Sequence, residues 1–255
     1  MGGPAVALSD PETRPAQVAQ LEHDGAHIWY DASLFDPFQP GIFDPAWLQR
    51  QGRITGRSTG RNTAFFFRDQ GHDLVLRHYY RGGMIAKLNR DSFLRVAVAR
   101  SRAMQEFRLL DWMRGQGLPV PRPCAARFRP VAGLLYQADL ITLMLPGTRT
   151  LADHLTDGPL PPDQWAAIGQ TIARLHHHGV WHSDLNCRNI LLDRDGKTWL
   201  IDFDKSARRP DGPWKQANID RLERSVQKES RINPAVRWDG DGWAALLAAW
   251  AKASG

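Results

Sequence analysis

The sequence predicts an α+β chain in two parts, strands with one main helix up to about residue 145 and mostly helices from Pro146 onward. Strand-like runs at 63–67, 73–77 and 138–145 lie in the first part. In the second, apolar residues recur at helical spacing as Trp165, Ile168, Ile172 and Leu175, then Ile219, Leu222 and Val226, then Trp243, Leu246, Leu247 and Trp250. Pro146-Gly147 punctuates the junction. A chain of 255 residues can bury a substantial core in one domain or in two.

Taken in order, residues 1–45 are rich in Pro, Asp and Gly and hold no persistent period, which predicts an extension packed on the first lobe. Its aromatics Trp29, Tyr30, Phe35, Phe38 and Phe43 read as anchors onto the domain. Residues 46–145 then form the first lobe and 146–255 the second. The Gly- and Arg-rich stretch 52–62 precedes the strand at 63–67, giving a strand, a glycine loop and a strand. Gly56 and Gly60 are candidate phosphate-covering residues, because backbone without Cβ lets N–H groups approach phosphate oxygens. The next strand ends in Arg77, the candidate phosphate clamp, with Lys87 as a possible substitute. A helix is expected from about Ser101, with Met104, Phe107 and Leu110 as its apolar stripe and Gly115 and Gly117 beyond its end. Glu106 lies beside that stripe, where it could pair with Arg77. The prolines of 118–123 mark a turn before another strand region.

The chemistry concentrates in His182-Ser183-Asp184-Leu185-Asn186-Cys187-Arg188-Asn189. Phosphoryl transfer asks a protein for alignment and charge neutralisation rather than covalent chemistry. Asp184 offers a carboxylate to accept or orient the proton of an acceptor hydroxyl. Asn189, five residues on, offers an amide oxygen to Mg2+, and Asp202 a carboxylate to hold Mg2+ against nucleotide phosphates. The runs 189–193 and 198–202 flank the turn residues Arg194-Asp195-Gly196-Lys197, so a hairpin is expected to return Asp202 towards Asn189. Together with Asp202-Phe203-Asp204 at its far end, the arrangement reads as the catalytic centre of a kinase.

A formal charge of +6 and a pI near 9.7 favour an anionic partner without choosing among nucleotide, phosphorylated glycolipid, nucleic acid or membrane surface. Cys124 and Cys187 are too few for a disulfide framework, which points to a reducing compartment. The N-terminal residues lack a basic leader with an apolar core, and no run approaches the length of a membrane span, so a cytoplasmic location is expected. His176, His177, His178 and His182 find no matching Cys or His set elsewhere and are assigned to a helix end rather than a zinc centre.

With these residues assembled, the chain resembles the protein-kinase-like superfamily, and within it the bacterial lipopolysaccharide core kinases that phosphorylate 3-deoxy-D-manno-octulosonic acid (Kdo) or heptose, closest to the Kdo branch. Segments 76–83, 106–110, 117–123, 182–186 and 199–204 carry the likeness. It implies a two-lobed fold, with a small antiparallel-sheet N-lobe holding one main helix and a reduced, mostly helical C-lobe. It further implies ATP and Mg2+ as cofactors and transfer of the γ-phosphate to the 4-hydroxyl of Kdo on a lipid A precursor. The expected place is the cytoplasmic face of the inner membrane, bound peripherally to its anionic surface, with neither nucleic acid nor an obligate protein partner. Arg77 stands where protein kinases usually carry Lys, and Asp204 and Asn186 replace their usual Gly and Lys. No Ala-Pro-Glu follows Asp204, and the remaining chain is short for peptide-binding helices, so a small-molecule acceptor is expected. Lys205, Arg208 and Arg209 are candidate contacts for an acidic sugar or its phosphates. The rival assignments are another sugar or antibiotic phosphotransferase, and a catalytically silent scaffold.

Overall fold

The computed structural model describes residues 16–58, 63–79, 93–94, 96–131 and 134–254. Contacts group the chain into two compact units, one from residues up to 117 together with 122–144, the other from 118–121 together with the chain from 145 onward. Gly60 and Lys87, both singled out above, lie outside the described residues.

The first unit is an antiparallel sheet. Its first hairpin is β1 (Val18–His23) and β2 (Ala26–Asp31), joined by Asp24-Gly25 with φ of 48° and 70°. Positive φ at both central residues is the turn whose twist matches that of the flanking strands. A short 3-10 turn at Pro40–Phe43 leads into α1 (Pro45–Arg50), capped by Asp44, whose side chain accepts from the Ala46 N–H at 2.9 Å. β3 (Ile54–Arg57), β4 (Ala64–Asp69) and β5 (His72–His78) follow, with Gln70-Gly71 as a second positive-φ turn. β6 (Phe93–Leu94), α2 (Arg102–Gly115), β7 (Pro123–Val131) and β8 (Leu135–Leu143) complete the unit. The strand order is β1-β2-β7-β8-β5-β4-β3, with β6 paired to β8. Met104, Phe107 and Leu110 of α2 are at most 1% exposed and pack towards β7 and β8.

Two expectations change here. Residues 18–31, read from sequence as part of an extension without periodicity, are two strands of the sheet itself. β1 sits at the sheet edge with mostly exposed side chains, so it shows little apolar alternation, while β2 is buried on most of its length. The hairpin is secured by Asp31, fully buried, which takes Arg122 Nη2 at 2.6 Å and Nε at 3.0 Å. Such a pair costs about 3–5 kcal/mol to break from one side. Gly56, expected in a flexible loop, belongs to β3 opposite Phe66, beside a register shift.

The second unit is mostly helical. Along the chain it contains β9 (Arg149–Thr150), α3 (Leu151–Asp157), α4 (Pro162–His177), β10 (Val180–Trp181), β11 (Ile190–Leu192), β12 (Thr198–Leu200), β13 (Ala207–Arg208), α5 (Trp214–Ile232) and α6 (Gly240–Ser254). α4 and α6 touch at the backbone. A Cβ at Gly169 would overlap the Leu246 carbonyl oxygen and lie 3.1 Å from its carbon. Trp165, Leu246 and Trp243 are buried along this contact, with the two indoles edge to face at 6.0 Å. The apolar face of α6 is therefore spent on the core rather than presented to a membrane. Among the described residues no helix is long and apolar enough to cross one.

Candidate active site

The loop from His182 to Asn189 joins β10 to β11 and has no regular structure, so its polar backbone groups must find partners outside it. β11 and β12 supply the floor, pairing Ile190 with Leu200 and Leu192 with Thr198. One rung beyond the ladder, the Ile201 N–H donates to the Asn189 carbonyl at 3.0 Å, which brings the residue before Asp202 against Asn189. Asp202 has φ of 65°, a left-handed conformation that a non-glycine residue adopts at a cost of about 1–3 kcal/mol and that recurs at functional sites.

His182 ties the two halves of this arrangement together. Its ring is fully buried against Phe203, 4.6 Å between centroids. The Ile201 carbonyl, 3.0 Å from Nε2, can only accept, and the Asp184 N–H, 3.2 Å from Nδ1, can only donate. The imidazole is therefore neutral with its proton on Nε2. Burial pushes its pKa below the ordinary value, in agreement with that state. One side chain thus fixes both the backbone of Asp184 and the residue preceding Asp202.

Asp184 itself carries a half-exposed carboxylate. Its carbonyl accepts from Asn189 Nδ2 and Asn186 Nδ2, each at 3.0 Å. The first bond orients the Asn189 amide and leaves Oδ1 as the atom available to a cation. An amide oxygen from Asn189 and a carboxylate from Asp202 fit Mg2+, which commonly takes one or two protein oxygens and completes its shell from phosphates and water. Ser183 adds two ties, its N–H to Ser206 Oγ at 3.0 Å and its hydroxyl to the Asp204 carbonyl.

A polar stripe on α5, which the sequence reading passed over in favour of the apolar Ile219, Leu222 and Val226, grips the loop residue by residue. Asn218 accepts from the His182 N–H at 3.2 Å and donates to the His182 carbonyl at 2.8 Å. Arg221 Nη1 donates to Asp184 Oδ1 at 2.9 Å. Ser225 Oγ accepts from the Cys187 N–H at 3.0 Å, and Glu229 takes Arg188 through two bonds of 2.8 and 2.7 Å. The spacing of three, four and four residues keeps these four side chains on one helical face. Their signal in the sequence is that polar repeat beside the apolar one.

Behind Asn218 sits His176, also buried, its Nδ1 accepting from Trp250 Nε1 at 3.0 Å and its Nε2 3.3 Å from Asn218 Oδ1. Burial lowers its pKa to about 4. This histidine is a structural bridge from α4 to α5 and α6. His178 lies at the α4 end, with Nδ1 2.8 Å from the Arg174 carbonyl.

In the first unit, Arg77 at the end of β5 meets Glu106 of α2 at 3.0 Å, with Glu106 nearly fully buried. Tyr79 donates its hydroxyl to the other Glu106 oxygen, and the Arg77 guanidinium lies 5.6 Å from the Tyr79 ring. Of the basic residues after Asp202, Lys205 and Arg208 are exposed, while Arg209 lies over the Trp181 ring at 3.4 Å and donates its N–H to the Gly179 carbonyl.

Residues 45–250 match the family model described as the lipopolysaccharide kinase (Kdo/WaaP) family. The chain is 41% identical over 233 residues to a 3-deoxy-D-manno-octulosonic acid kinase of Vibrio parahaemolyticus, covering 91% of this chain and 97% of that one. A protein of the same name from Haemophilus influenzae is 39% identical, covering 91% and 98%. Among solved structures, WaaP in complex with acyl carrier protein aligns with a TM-score of 0.56 over 86% of this chain and 88% of that one, at 15% identity. Glucosamine kinase in complex with glucosamine, ADP and inorganic phosphate aligns at 0.52 over 93% and 82%, also at 15% identity. These two likenesses establish the protein-kinase-like fold, and the sequence matches establish that the chain belongs to the lipopolysaccharide kinase (Kdo/WaaP) family.

Proposed function

We propose that this chain transfers the γ-phosphate of ATP to the 4-hydroxyl of Kdo on a Kdo-containing lipid A precursor, at the cytoplasmic face of the bacterial inner membrane. Family membership carries the reaction class, a phosphotransferase with a sugar acceptor in lipopolysaccharide assembly. The observation that carries the residue assignment is the half-exposed Asp184 carboxylate, on a loop whose neighbouring polar groups are tied down at nearly every residue. A carboxylate held this way meets an incoming hydroxyl with little reorganisation, which is the main protein contribution to phosphoryl transfer.

In this reading Asp184 orients the acceptor hydroxyl and takes its proton. Asn189 Oδ1 and Asp202 hold Mg2+, which when bound neutralises charge on the phosphates. Arg77, fixed by buried Glu106, steadies nucleotide phosphates, and its planar fork suits them bidentately. Gly56, in β3, is proposed to help cover those phosphates, and the same role is proposed for Gly60. The net charge of +6 supports peripheral attachment to an anionic membrane that carries the acceptor.

The test is transfer of labelled γ-phosphate from ATP to purified Kdo-lipid A precursor, comparing the natural chain with Asp184→Asn. The expected result is phosphate on Kdo, reduced at least about 1000-fold in the variant while nucleotide binding persists. Undiminished transfer by Asp184→Asn would remove Asp184 from the chemistry.

A further inference from the structure

Of the four α5 side chains that hold the loop, three bind its backbone or the Arg188 side chain. Arg221 binds the Asp184 carboxylate itself. The pair is open to solvent, Arg221 and Asp184 side chains being 49% and 58% exposed. Exposed ion pairs contribute about 0–1 kcal/mol, so stability gives little reason for a guanidinium at this place. The loop is already fixed by the buried bonds of His182, Asn218 and Asn189. Arg221 uses Nη1 alone in its described bonds, and a second edge of its fork carries further N–H donors. Arg224 and Lys228, three and seven residues on, are exposed on the same face of α5 and extend the positive charge away from Asp184.

We infer that Arg221 is the receptor for a carboxylate on the acceptor sugar, and so decides that the enzyme phosphorylates a sugar acid rather than a neutral sugar. The inference rests on the phosphotransferase reading and on Asp184 as the residue that meets the acceptor hydroxyl. A sugar acid carries its carboxylate on the same ring as the reacting hydroxyl. A guanidinium in contact with the hydroxyl-orienting Asp184 therefore stands within one sugar ring of the chemistry. Arginine matches a carboxylate with two parallel N–H bonds, which fixes orientation as well as position. A neutral hexose offers that fork only uncharged hydroxyl acceptors, whose bonds are roughly half as strong as those to a carboxylate. The Arg221–Asp184 bond, weak and solvated, yields part of the guanidinium to the incoming carboxylate at small cost.

The experiment is a double comparison using two acceptors, the Kdo-lipid A precursor and the same molecule with its Kdo carboxyl converted to the methyl ester, and two proteins, natural and Arg221→Gln. Steady-state transfer from Mg-ATP and calorimetric binding of each acceptor without nucleotide are both read. The natural protein is expected to lose about 10- to 100-fold in kcat/KM on the ester, the range for a hydrogen bond to a charged group. Arg221→Gln should lose a similar factor on the native acceptor, through KM, and then show little further loss on the ester. Its KM for ATP and its melting temperature should stay as in the natural protein. Equal discrimination between the two acceptors by both proteins overturns the inference, as does a variant that loses kcat alone. If the natural protein binds the acid in preference to the ester through Arg221 but transfers no phosphate, Arg221 stands as a carboxylate receptor while the phosphotransferase reading falls, and with it the acceptor specificity assigned to Arg221. If it neither binds nor transfers, both fall.

Discussion

Replacing Asn218 with Leu removes the polar hub of the loop while keeping the same branched arrangement of side-chain heavy atoms. In the folded protein Asn218 is 2% exposed and satisfies three groups, the His182 N–H, the His182 carbonyl and the His176 Nε2–H, at 3.2, 2.8 and 3.3 Å. Each buried group left without a partner costs about 1–3 kcal/mol. The bond to His176 is long and belongs at the low end, and the two His182 groups relax together, so the three are not additive. The expected loss is about 4 kcal/mol, a large fraction of the ~5–15 kcal/mol that holds a typical domain together. At about 2–4 °C per kcal/mol for a chain of this size, the melting temperature should fall by roughly 8–16 °C. Because His182 also fixes Asp184 and Ile201, transfer measured well below the melting temperature should slow by at least about 10-fold in kcat, with the KM for ATP little changed. Scanning calorimetry and steady-state kinetics read the two effects. A variant that melts within ~2 °C of the natural protein, or one that melts early but turns over normally, would refute the role given to Asn218; ~2 °C is the least that even one orphaned group should cost.

Acid should weaken the same region. The unfolded chain protonates its histidines near 6.5, whereas folded His176 does so only near 4, so the unfolded state binds more protons between those values. Stability present above pH 6.5 is then lost as the pH falls towards 4, by about 3 kcal/mol from His176, with His182 acting in the same direction; urea melts of the natural protein and of His176→Gln should show a flatter profile in the variant. Gly169→Ala should cost about 1–3 kcal/mol by forcing α4 from Leu246, while Gly115→Ala, at a helical position where a Cβ meets nothing within 4 Å, should be neutral or stabilising; thermal melts of the two variants check the contrast. Glu106→Gln should raise the KM for ATP by about 10-fold while leaving the KM for the acceptor alone, because it frees Arg77 from the anion that aims it; equal changes in both constants would detach the pair from the nucleotide.

The parts of the fold legible in the sequence were those whose own residues carry a period. Trp165, Ile168 and Ile172 announced α4, and the runs around Arg194-Asp195-Gly196-Lys197 announced the β11–β12 hairpin that places Asp202 near Asn189. The first hairpin was missed because β1 lies at the edge of the sheet with little to bury, so alternation is faint. Asp24-Gly25 was its available signal, since that dipeptide favours the two positive-φ positions of a tight hairpin. The Asp31–Arg122 pair had no local sign at all, because its partners are 91 residues apart and each is an ordinary charged residue until the sheet closes.

The site divides along the same line. Asp184, Asn189 and Asp202 could be picked out because their chemistry requires fixed spacing within one short segment. The residues that make the segment rigid obey a looser rule. An irregular loop must have its N–H and carbonyl groups satisfied, so the motif implies a polar partner surface without saying where in the chain it lies. α5 provides it, and the evidence in its sequence is a second periodicity, Asn218, Arg221, Ser225 and Glu229 running beside Ile219, Leu222 and Val226. On most helices a polar stripe faces water, which is why it was passed over. Here a buried Asn at its head distinguishes it, because an amide with no exposure must spend its donors and its acceptor on protein. The exposed Arg221 one turn further on makes no such demand, and its place beside Asp184 is better explained by what binds there than by what folds there.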